Sequence, residues 1–243
     1  LVAQVPVSPE LPLEAGDWSA TVQVDGNVQA SISCGVLVRT AKISNPPKIN
    51  LRFFFSGTSE VTGLDAIGAS SNATFSSIVE EWRQLWSPVV QIDSIAYQDL
   101  EDSYGVVAGR EDLGTLFRQA PADIQELPVF VVSSLQDDAG TAQEVASWGP
   151  PGLPVLGGNS RAGIALSIVH FGEDPSTMAR ELAREGMLYL GLFPPISADG
   201  TEQDPLSDTP VCQDTDGDSL LSTEECSGQG AENLLWWDGG AQA

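Results

Sequence analysis

Residues 214–225 read D-T-D-G-D-S-L-L-S-T-E-E, and their acidic side chains fall where a calcium loop draws its oxygen ligands. With Asp214 as position 1, Asp216 stands at 3, Asp218 at 5 and Glu225 at 12. Leu220 offers its backbone carbonyl at 7 and Leu221 fills the apolar position 8. Carboxylates held together in so short a loop repel one another unless a cation joins them. The spacing therefore points to a structural Ca2+, whose binding energy would go into folding the tail. Ser219 departs from the pattern, because such a loop takes glycine there for its sharp turn. A merely solvated acidic loop is the plain alternative.

Cys212 and Cys226 bracket this loop. A bridge between them would contribute about 3 kcal/mol by closing a short loop and would imply an oxidising compartment. Cys34 is then left over and reads as a small buried apolar residue in a strand. The cysteines flanking the acidic loop argue against a helix on each side of it.

A second stretch, residues 183–194, reads A-R-E-G-M-L-Y-L-G-L-F-P. In spacing it resembles the zinc helix of the metzincin metalloproteases, A-H-E-x-G-H-x-L-G-L-x-H. Residues 204–212, D-P-L-S-D-T-P-V-C, resemble the segment after that helix in pappalysin-like and related bacterial metzincins. N-L-L-W-W at 233–237 resembles the turn whose methionine underlies the metal, with Leu235 at the methionine position. The resemblance implies a metzincin or zincin-like α+β fold: a twisted mixed sheet, two long helices and a loop-rich C-terminal subdomain.

It also implies a disabled site. Arg184, Leu188 and Pro194 stand at the three ligand positions, and only Glu185, the general base, and Gly191, where the helix turns, remain. Arginine keeps its proton and leucine has no donor atom, so neither binds metal. A catalytic zinc needs three protein ligands, and His170 is the only histidine of the chain. No zinc and no proteolysis are expected, and Glu185 is a base without its metal-bound water. Arg184 either neutralises Glu185 or a neighbouring acid, or lies on a solvated helix face. The offset reading R-E-L-A-R at 180–184 leaves the later glycine too far along. Other hydrolytic chemistry finds little material: His170 is the single imidazole base, no G-x-S-x-G elbow occurs, and Glu181 and Glu185, one helical turn apart, read as a solvated acidic pair.

The elements that would position these residues follow from periodicity. Residues 18–38 read as a hairpin turning at Asp25-Gly26. Residues 49–55, I-N-L-R-F-F-F, form a strand apolar enough for a central position. Residues 72–86 carry Phe75, Ile78, Val79, Trp82, Leu85 and Trp86 at helical steps, with Pro88 beyond. Further strands are expected at 89–97, 127–133 and 163–170, and a second long helix at 176–190 started by Asp174-Pro175. Residues 149–158 form a Gly/Pro-rich loop. Three parts result: a Pro-rich arm or linker at 1–16, an upper subdomain at 17–194, and a loop-rich subdomain at 195–243.

Composition narrows the function. The 243 residues hold 34 Asp and Glu against 10 Lys and Arg, for a net charge of −24. Such a surface repels nucleic acid and anionic lipid and attracts cations or basic partners, or serves only as a solubility device in salty surroundings. No stretch approaches the ~18 apolar residues of a membrane span. The reading is an inactive metzincin-like protein, secreted, periplasmic or on a cell surface, that binds a protein partner or sits in an assembly. The arm at 1–16 and Trp236-Trp237 are candidate contact points, although tryptophans there also suit a core. A hydrolase of another mechanism and a calcium-dependent adhesin remain the alternatives.

Overall fold

The computed structural model describes residues 46–124, 126–143, 145–147, 158, 160–169, 171, 174–190, 192, 194–197, 199–201 and 211–236. In chain order they form β1 (Lys48–Ser56), α1 (Ser59–Thr62), α2 (Ala73–Trp86), β2 (Gln91–Asp99), β3 (Val106–Ala108), α3 (Arg110–Phe117), β4 (Leu127–Val132), β5 (Ser134–Gln136), β6 (Val145–Ser147), β7 (Ile164–Ser167) and α4 (Pro175–Tyr189). The main sheet has the order β2-β1-β4-β7-β6. Its first four strands are parallel, and β6 closes one edge antiparallel to β7. A small parallel pair, β3 and β5, forms a second sheet that shares a core with it.

Alternation along the central strands sorts the core into two layers. Leu51, Phe53 and Phe55 of β1 and Leu127, Val129 and Val131 of β4 join the cluster that holds α2 and α4. Phe54, Phe130 and Val132 point the other way, to Leu113, Leu116 and Phe117 of α3. A parallel sheet covered on both faces requires unbroken apolar strands, which is why every residue of β4 is buried. The expected α+β layout is thus corrected to a mixed α/β arrangement with helices on both faces. Parallel strands need crossovers, and α3 supplies one that the pattern reading passed over.

Both long helices start where their caps put them. The Asn72 side chain accepts a hydrogen bond from the Phe75 amide at 3.0 Å. Asp174 accepts from the Ser176 amide at 3.1 Å, with Pro175 in the first turn, where its missing N–H costs nothing. Strand ends differ by a few residues from expectation: β2 runs to Asp99 and β7 stops at Ser167. The hairpin at 18–38, the arm at 1–16, Cys34 and the loop at 149–157 lie outside the described residues.

α4 packs on α2 through a glycine. A Cβ at Gly186 would overlap the ring of Trp86 and come within 3.3 Å of Trp82. The two indoles meet edge to face at 5.0 Å, both fully buried. Trp86 Nε1 also donates to the Ala183 carbonyl at 3.0 Å. At the other end of the contact, the Ser176 hydroxyl donates to Glu81 on α2 at 3.0 Å. Overpacking a fixed aromatic site costs about 1–3 kcal/mol. Gly186→Ala, although a better helix former, is therefore expected to lower stability by that amount in urea melts; an unchanged or raised midpoint would contradict the packing.

Candidate functional site

α4 carries most of the 183–194 stretch, and its acidic residues are not solvated as expected. Arg184 Nη1 lies 3.0 Å from Glu185 Oε1 and 3.5 Å from Glu181 Oε2. The side chains of Arg184, Glu185 and Glu181 are only 18%, 13% and 25% exposed. The reading of Glu181 and Glu185 as a solvated acidic pair is corrected: one guanidinium serves both. Adjacent helical residues do not face one another, so it is the length of the arginine that lets its fork reach its neighbour. Of the other motif positions, Leu188 is half-buried against the main core and Pro194 is half-buried. Neither carries a metal donor. Gly191 and His170 lie outside the described residues.

Leu235 is 9% exposed and joins the same apolar cluster as Leu182, Ala183 and Met187 of α4, with Leu234 packed against it. Trp236 is fully buried but belongs to a separate small core with Ile196, Cys212, Leu221, Cys226 and Ala231. Trp236 is thus a core residue of the tail and no contact point; Trp237 lies outside the described residues, as does most of the 204–212 motif.

Cys212 and Cys226 are bonded, with Cα atoms 5.4 Å apart. Inside this bridge the chain makes turns and no helix. The Asp214, Asp216 and Asp218 carboxylates each offer an oxygen within 4.8 Å of the others. Among the described residues they are the one group of His, Cys, Asp or Glu that could hold a metal ion. Each also pins the backbone ahead of it. Asp214 accepts from the amides of Gly217 at 2.6 Å and Ser219 at 2.9 Å, Asp216 from Asp218 at 3.0 Å, and Asp218 from Leu220 at 2.8 Å. Ser219 has φ of 68°, the left-handed conformation for which such a loop takes glycine. Leu221 is buried, as its apolar position requires.

Glu225, expected as the closing ligand, is not in the aspartate group. Its carboxylate accepts from the amide and hydroxyl of Ser222, the amide and hydroxyl of Thr215, and the amide of Asp216. The Ser222 amide, then the Thr215 amide and hydroxyl, hold its pKa down at about 2. Sequence spacing gave Glu225 a place in the loop but not this role, which depends on two serine/threonine residues folding back onto it.

The usual ligand crevice of an open α/β sheet, outside the carboxyl ends of the strands where their order reverses, lies here between β1 and β4 and is closed. The Ser56 hydroxyl donates to Glu101 O at 2.6 Å, the Gly57 amide to Asp102 at 3.1 Å, and the Ser133 hydroxyl to Gly105 O at 2.6 Å. Gly105 sits so close that a Cβ there would lie 2.9 Å from Gly57 Cα. No protein-family model and no curated protein matches the chain.

The carboxylate of Glu225 organises its turn only while ionised. Its folded pKa of about 2 lies below the ordinary 4.5. Its contribution is therefore complete above about 4.5 and is lost as pH falls toward 2. Amide NMR shifts of Thr215, Asp216 and Ser222 are expected to hold steady down to about pH 4 and move together below it. Glu225→Gln is expected to show the altered shifts already at neutral pH.

Proposed function

We propose that this chain is a catalytically inactive relative of the metzincin metalloproteases, secreted or held at a cell envelope, which binds protein without cutting it and carries calcium in its acidic loop. The observation that carries the reading is the Arg184 ion pair with Glu181 and Glu185. A fixed positive charge stands at the first ligand position of the motif and occupies the carboxylate that would serve as base. With one histidine in the chain, three imidazole ligands cannot be assembled.

The element order supports the scaffold half of the proposal. A mixed sheet, helix α2 packed on it, the motif helix α4 and an irregular tail come in that order, with α3 and the β3–β5 pair as additions to it. Leu235, at the methionine position, returns to the cluster that contains α4. The binding half rests on β6, which among the described residues has a single strand neighbour and lies against α4. An extended peptide can add to such an edge through main-chain hydrogen bonds. The bonded cysteines fit an oxidising compartment, and no helix of the described residues is long and apolar enough to cross a membrane.

The donor set suits a hard cation. Three carboxylates supply oxygens, the Leu220 carbonyl and waters can complete the shell, and no nitrogen or thiolate is offered, which favours Ca2+ over zinc. What the ion would supply is charge that draws the three carboxylates into one turn.

Two assays test this reading. Casein cleavage by the purified chain is expected to be absent with or without chelator, and Arg184→His is expected to lose stability without gaining zinc-dependent cleavage. One zinc per chain with chelator-sensitive cleavage would overturn the assignment. Added calcium is expected to raise the melting temperature by several degrees at about a hundredfold over Kd, an increase absent from an Asp216→Ala, Asp218→Ala variant. Equal melting with and without calcium would remove the ion from the proposal.

A further inference from the structure

We infer that residues 211–236 form a separable strap, latched by the Cys212–Cys226 disulfide and seated on the main core through Leu235, whose release bares one flank of α4. The inference depends neither on the metzincin reading nor on calcium.

The strap has its own core. Cys212, Leu221, Cys226, Ala231 and Trp236 cluster with Ile196, apart from the two clusters of the sheet. It has no helix and no strand. Among the described residues its backbone-to-backbone hydrogen bonds are local, such as Cys226 to Ser222, Ala231 to Cys226 and Trp236 to Asn233. A segment without ladder or helical bonds to its neighbours opens as a unit at lower free energy than the sheet beneath it. Leu235 and Leu234 then supply its grip on the main cluster, which also takes in Leu182, Ala183, Met187, Leu188 and Leu190 of the α4 stretch. The disulfide is the covalent closure, and both sulfur-bearing residues lie inside the small core, 4% and 0% exposed. Removing it loosens the strap from within, while the aromatic packing of α2, α4 and β1 shares none of its residues.

Opening the latch needs a dithiol reductant. The S–S bond takes two electrons and two protons from the reagent, two thiols form, and the reagent closes to its own cyclic disulfide. The test is peptide-resolved hydrogen exchange on the full chain in chelator, so that no cation can substitute for the bond. Folded protein is compared before and after dithiothreitol treatment and alkylation, together with a Cys212→Ser, Cys226→Ser variant. Peptides within 211–236 are expected to lose protection by about a hundredfold. Peptides over 186–190 are expected to lose part of theirs, and β1, β4 and β7 to keep it. Unchanged protection of 211–236 would overturn the inference, as would equal loss across the strands. If the serine variant does not fold, the alkylated sample, made from folded protein, still decides between these outcomes.

Discussion

The approach of α4 to α2 governs everything at the candidate site. Helices pack at distances set by the side chains between them, and here α4 offers Gly186 to two tryptophans, with Ala179 and Ala183 in the same core. The Trp86 indole fits against a residue without a Cβ and donates to the Ala183 carbonyl in the turn before it. One contact therefore fixes both the depth and the rotation of α4. With that rotation set, residues 181, 184 and 185 fall at the margin of the core, where side chains retain little solvent.

That placement makes the arginine intelligible. A carboxylate with so little exposure is costly unless a cation and hydrogen bonds compensate it. A guanidinium is always charged and has several donors in a fixed plane, so one Arg184 can satisfy Glu185 and reach Glu181 as well. On the proposed reading, a scaffold that lost its metal ligands would keep Glu185 as an unpaired buried charge. An arginine at the adjacent position removes that penalty from within the helix. The same charge opposes the return of a divalent cation, so replacing single ligands would not reverse the change.

Legibility in the sequence followed the strength of the local signal. The residues of β1, α2 and β4 could be placed because β1 and β4 are central to the sheet and α2 presents a broad apolar stripe, which leaves dense patterns. α3 escaped because its eight residues show only Leu113, Leu116 and Phe117 as apolar signal and include Gly114. β3, β5 and β6 have three residues each, too few for any period to register. The layer arrangement was missed with them, since helices on both faces could not be inferred without α3. At the acidic loop, spacing located the three aspartates and the buried Leu221. It did not show the bonds Glu225 makes, because Thr215 and Ser222 act through bonds formed only when the turn closes. For Glu181 and Glu185, the missing information was burial, which a helix period alone does not give.

The two ends of the sheet offer different opportunities. At the carboxyl ends of β1 and β4, the segment around Asp102 and Gly105 satisfies the Ser56, Gly57 and Ser133 donors and leaves no space between backbones. A ligand there would have to displace bonds already made as well as the Gly57–Gly105 contact. Along the β6 edge no such hydrogen-bonded segment occurs among the described residues, and the tail meets the main cluster through Leu234 and Leu235 without a backbone ladder to the sheet. A partner approaching this flank meets a chain of net charge −24, which favours a basic surface at long range and weakens with salt. Local recognition would then rest on edge-strand hydrogen bonds, which are indifferent to salt. A complex built this way would form faster at low ionic strength yet dissociate at a similar rate across salt concentrations.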